Sequence, residues 1–132
     1  MASDYVAFSK VTDNLVKAFG ESALATWITE ADDHLESVAE EVGVREPDDI
    51  EVSPLHHVLT RYWLAYLGWA VFRDKIGTNN VEIINEKYLV KFDIYAKMIS
   101  QLRPQISYEM VTGEINEIRD RATAMSGILF RS

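Results

Sequence analysis

Between Leu55 and Phe72 apolar side chains fall on almost every face that a helix would present: Leu55, Val58, Leu59, Tyr62, Trp63, Tyr66, Leu67, Trp69, Ala70 and Phe72. A helix apolar nearly all round must be covered from more than one side. Ser53 and Pro54 predict its cap and first turn, and Gly77 its stop near Ile76. Gly68 predicts a close crossing with a neighbouring helix. The uncharged run Trp63–Phe72 is far shorter than the roughly 20 residues a membrane span needs, so a transmembrane chain is not expected.

Other segments supply the cover, and no strand alternation competes with them. A first helix is predicted over Ser3–Phe19, with Phe8, Val11, Leu15 and Phe19 on one face and Gly20 as its end. A second is predicted over Ser22–Val42. There Leu24, Ile28, Ala31, Leu35, Val38 and Val42 repeat at alternating steps of four and three, a seam for packing on another helix. Gly43 reads as its stop. Val44–Val52, with Pro47 and no period, reads as a mobile, solvent-facing loop. A fourth helix is predicted over Asn80–Leu102, ended by Pro104. Its seam is Val81, Ile84, Tyr88, Phe92, Tyr95, Ile99 and Leu102. A second apolar row, Ile83, Val90, Ile94 and Met98, implies that more than one face is buried. Ser107–Thr112 reads as a short helical turn before Gly113. Ile115, Ile118, Ala122 and Met125 outline a last amphipathic helix. The expected fold is an all-α, single-domain bundle of four to five helices over residues 1–123, followed by an apolar C-terminal tail, 124–132.

Charge is unevenly placed. The net charge of the 132 residues is −8, from 13 bases and 21 acids. Glu21–Glu51 alone holds eleven acids against the single base Arg45, so it carries −10 and the remainder +2. Duplex binding needs the opposite sign. The segment reads as a solvated face, or as a surface that repels nucleic acid or docks on a basic partner.

Chemistry has little to stand on. There is no cysteine, so disulfides, thiol catalysis and cysteine metal sites drop out, which fits a cytoplasmic origin. Met1–Tyr5 shows no signal-peptide pattern. The Glu-x-x-His pattern of bundle metal sites is absent, since Ala31 precedes His34 by three and Ser53 precedes His56 by three. No metal, cofactor or catalytic residue is therefore expected. His34 reads as a surface residue. His56 and His57 diverge by about 100° on a helix, so one should face the core edge and the other solvent. No nucleophile elbow or glycine-rich phosphate loop occurs. The aromatic cluster reads mainly as core. Three tryptophans and six tyrosines are much to bury in one small bundle, so part of this face, with Tyr66 and Trp69 as candidates, is expected to meet a neighbouring subunit.

The order of these features resembles a known family. Glu30-Ala31-Asp32-Asp33-His34-Leu35-Glu36 is followed by an acidic loop, then Arg61-Tyr62-Trp63-Leu64-Ala65-Tyr66 and Arg73-Asp74-Lys75-Ile76-Gly77. Glu86-Lys87-Tyr88-Leu89-Val90-Lys91-Phe92-Asp93-Ile94-Tyr95 and Ile106-Ser107-Tyr108-Glu109-Met110-Val111-Thr112-Gly113 complete the series. Over Ala23–Gly113 it resembles the small helical head–tail connector (adaptor) proteins of tailed bacteriophages. The resemblance implies a non-enzymatic virion subunit, made in the host cytoplasm, in a homo-oligomeric, typically dodecameric ring. Such a ring lies between the portal protein and the tail or stopper protein and extends the DNA channel without specific DNA binding. It further implies that the tail, with Ile128, Leu129, Phe130 and Arg131, docks on the portal. On this reading Glu30, Asp32, Asp33, Glu36, Glu40 and Glu41 face the channel or a basic partner. Two other readings stand beside it: a small helical adaptor or regulator that binds one protein as a monomer or dimer, and a bundle enzyme using carboxylates.

Overall fold

The computed structural model describes residues 4–78 and 86–114. Among these residues there are five α-helices and no strand: α1 (Asn14–Lys17), α2 (Glu21–Glu41), α3 (His57–Thr78), α4 (Glu86–Leu102) and α5 (Tyr108–Thr112). Single 3-10 turns occupy Phe8–Lys10, Pro47–Asp49 and Arg103–Gln105. The fold is the all-α bundle that the apolar periods imply. The helix expected over 115–125, the tail 124–132, and Val81, Ile83 and Ile84 lie outside the described residues.

α3 is the axle. Leu59, Tyr62, Trp63, Ala65, Leu67, Ala70, Val71 and Phe72 are all buried, with α2 packed on one flank and α4 on the other. No helix among the described residues is long and apolar enough to cross a membrane. The α2 seam is buried as its spacing requires: Leu24, Ile28, Ala31, Leu35 and Val38 face α3 and the N-terminal segment, and Val42 is half-buried. Gly43 ends the helix at φ +105°, a left-handed conformation that side chains resist.

α4 brings an aromatic edge to α3. Phe92 stacks on Trp69 with ring centroids 5.9 Å apart, and Phe72 meets Tyr88 at 5.3 Å and Tyr95 at 6.2 Å. The close crossing predicted at Gly68 is real. The Tyr95 ring lies so near that a Cβ at position 68 would sit 2.4 Å from its Cε2. α4 ends at Leu102 and Pro104 falls in the following 3-10 turn. α5 begins where Ser107 Oγ accepts from the Met110 N–H at 3.3 Å and ends at Gly113, φ +82°, as read from the sequence.

Five local expectations are corrected. The single helix over Ser3–Phe19 does not form. The Asp13 carboxylate accepts from the Leu15 N–H at 2.8 Å and the Val16 N–H at 3.4 Å, starting a fresh four-residue helix in place of a continued one. Such side-chain bonds compete with helix propagation. Val6, Val11 and Val16 are buried all the same. α2 starts at Glu21, with Gly20 before it, one residue ahead of the expected start at Ser22. α3 begins at His57, not at Pro54. The His56 imidazole Nδ1 accepts from the Val58 N–H at 3.1 Å and the His56 carbonyl accepts from the Thr60 N–H at 3.0 Å, so His56 caps the helix. Gly77 does not stop it, since helical backbone runs on to Thr78. Finally, Val44–Val52 is anchored. Val44 and Ile50 are buried, and the Glu51 N–H donates to the Val111 carbonyl at 2.9 Å, which ties the loop to α5. The stretch Arg45–Asp49 between these anchors is wholly exposed.

Candidate functional site

The acidic helix does two jobs. Several of its carboxylates turn inward, to the polar tips of aromatic residues and to arginines. Glu30 accepts from the Tyr66 hydroxyl at 2.8 Å and from both Arg73 NH groups at 2.8 and 3.0 Å. Arg73 also donates to Asp74 at 2.8 and 3.1 Å, and Asp74 accepts from Trp27 Nε1 at 2.7 Å. Asp32 accepts from Trp63 Nε1 at 2.8 Å and from the Asp4 N–H at 3.3 Å. Glu36 accepts from the Tyr5 hydroxyl at 2.6 Å, and Glu41 pairs with Arg103. A buried aromatic N–H or O–H needs such an acceptor. The Arg73 guanidinium holds both Glu30 and Asp74 below the ordinary carboxylate range, whereas burial and the Glu30 carboxylate push Tyr66 up to about 12. Of the six acids singled out in the sequence, Asp33 and Glu40 are exposed and have no such bond among the described residues. They line a shallow acidic cleft of about 270 Å³ with Glu36, Val44, Glu46 and Pro47.

His34 is not a surface residue. It is half-buried, stacked on Tyr66 with centroids 4.0 Å apart, and its Nε2 lies 2.8 Å from the Tyr62 hydroxyl. Burial lowers its pKa from the ordinary 6.5, with the Arg103 charge acting the same way and Glu41 and Glu30 acting against it. The folded state therefore favours neutral imidazole. That contribution is full above the unfolded value and drains as pH falls below about 6.5, because the unfolded chain takes the proton first. Urea unfolding at pH 7.5 and pH 5.5 should show a stability loss at the lower pH that is smaller in His34→Gln. An NMR titration should place the His34 midpoint below the ordinary histidine value of 6.5. His56 and His57 divide as read, the first buried and the second exposed.

Tyr66 and Trp69, the proposed subunit contacts, are half-buried and already engaged within the chain. Tyr66 bridges His34 and Glu30. Trp69 packs between Phe92 and Arg73, whose guanidinium carbon lies 5.1 Å from the ring centroid. Tyr62, Trp63 and Phe72 are core.

Among the described residues, α4 carries more exposed large apolar side chains than any other element. Leu89 is 37% exposed, Val90 56% and Ile94 45%. The second apolar row of that helix, expected to be buried, instead faces outward at Val90 and Ile94, and only Met98 is half-covered. Beside it lies a half-open cleft of about 260 Å³ between the N-terminal segment, α3 and α4, walled by Val11, Arg61, Leu64, Tyr95 and Met98. At one wall Asp13 accepts from the Tyr95 hydroxyl and pairs with Lys91 Nζ at 3.1 Å. Burial raises the Asp13 pKa, but bonds from Tyr95, Lys91 and the Leu15 and Val16 N–H groups outweigh it and hold the carboxylate low. With its oxygens engaged, Asp13 is a structural clamp and a poor general base.

Among the described residues no three metal-ligating side chains converge. Comparison with family models, with curated proteins and with solved structures finds no match to this chain.

Proposed function

We propose that this chain is a structural subunit of the ring that joins the head and tail of a tailed bacteriophage. It would sit between the portal and the tail or stopper protein, with the DNA channel running through the ring. The observation that carries the reading is the division of the surface across α3. One flank presents the exposed carboxylates of α2 and its following loop; the other presents the open apolar strip of α4 beside Arg61 and Lys91. A subunit with two unlike flanks suits a head-to-tail ring. An acidic wall suits DNA transit, because it forms no counterion-releasing contacts with phosphate. The resemblance over Ala23–Gly113 supplies the biological setting, including assembly in the host cytoplasm and residence in the virion.

The deciding experiment mixes the purified protein with portal rings encoded beside it and images the product. The expected result is a second ring, coaxial with the portal. A protein that stays monomeric or dimeric in that mixture, or that binds a single unrelated protein stoichiometrically, would instead favour the adaptor reading. The acidic face has its own test. Lysine at Asp33 and Glu40 spares the carboxylates that hold Trp63 and Tyr5. The D33K/E40K variant should therefore fold like the wild type yet lower infectious titre by about tenfold or more, as channel walls begin to grip phosphate.

A further inference from the structure

The ring reading leaves open which surfaces of two copies meet, and the exposed residues point to one pairing. On the α4 flank the strip of Leu89, Val90 and Ile94 borders the cleft that holds Arg61 and Lys91. Lys87 and Lys97 are also exposed on this helix, as are the acids Glu86 and Asp93. Among the residues lining the cleft, Arg61 and Lys91 stand against Asp13 alone, which pairs with Lys91. On the α2 flank the 3-10 turn Pro47–Asp49 projects into solvent, with Glu46, Pro47, Asp48 and Asp49 all exposed. Buried Val44 and Ile50 fix its two ends, so the knob is formed in advance and loses little entropy on docking. It follows α2 and lines no part of the α4 cleft of its own chain, so its match is to another molecule's cleft.

We propose that the acidic turn Glu46–Asp49 of one copy docks on the α4 strip and cleft of a second copy, its carboxylates meeting Arg61 and Lys91 and its proline meeting Val90 and Ile94. This rests on the ring reading for closure. The contact is heterologous: each copy uses one flank to give and the other to receive, so addition continues until the ring closes. Charge complementarity sets the register, and the apolar strip supplies the area removed from water.

The chain has no cysteine of its own, so disulfide mapping is unambiguous. Two single variants, I94C and D48C, are mixed under mild oxidation, both as free protein at high concentration and on portal rings. The expected product is the mixed I94C–D48C dimer, at least about tenfold over either homodimer at low salt and suppressed at about 0.5 M salt, where exposed charges are screened. The double variant I94C/D48C should give a ladder of covalent oligomers. Statistical pairing, a dominant I94C homodimer, or no cross-link in either setting would overturn the proposal. Rings on the portal that fail to cross-link reject this pairing and leave the function standing. A ladder without portal binding keeps the pairing and rejects the function.

Discussion

Gly68→Ala is expected to destabilise the subunit by about 1–3 kcal/mol, the usual range for an overpacked core. The added methyl would by itself improve helix propensity by about 1 kcal/mol, so a net loss identifies packing as the cause. A Cβ at this position would lie within 2.7 Å of three Tyr95 ring atoms. The ring cannot easily give way. It stacks on Phe72 at one face, and its hydroxyl is tied to Asp13. Denaturant unfolding of the four proteins of a double-mutant cycle isolates the effect. In a Tyr95→Ala background the Gly68→Ala change should become neutral or stabilising. An unchanged cost in that background would show that the crossing is not what limits residue 68.

The larger loss is expected at Trp63. It is 1% exposed at the centre of the axle, and its Nε1 donates to Asp32. Trp63→Ala should cost about 3–5 kcal/mol, the sum of lost burial and a residual cavity. That is a large share of the 5–15 kcal/mol that domains of this kind possess. Trp63→Phe keeps most of the ring volume and removes the hydrogen bond, so it should cost nearer 1 kcal/mol. Circular dichroism in guanidinium distinguishes them without relying on the indole as reporter. Near-equal losses for both would assign the stability to the Asp32 bond.

The parts of this fold that were legible in the sequence are those governed by neighbours along the chain. The α2 seam follows from apolar spacing alone, and the short helical turn Ser107–Thr112 before Gly113 from local residue types. The split between His56 and His57 follows from helical rotation. What escaped was governed by side chains acting on backbone, or by contacts distant in sequence. Asp13 interrupts the first helix because its carboxylate captures two N–H groups. His56 displaces Ser53 and Pro54 as the start of α3 because an imidazole nitrogen served as the cap. The inward carboxylates were hidden by a rule of thumb that places acids in solvent. A signal was present, however: Glu30 and His34 bracket Ala31 of the seam, four apart, and Tyr62, Tyr66 and Arg73 form a stripe on α3. Two such stripes on packed helices can pair. The exposed strip on α4 escaped for the converse reason, since spacing cannot tell a row that meets the core from one that awaits another surface.

α2 and α4 are joined chiefly through the helix between them. Substitutions on the two outer sides should consequently combine additively in stability. For natural variation the arrangement acts as a partition: one side can be retuned to a new neighbour while the opposite side keeps its old fit, provided that the central rod stays intact.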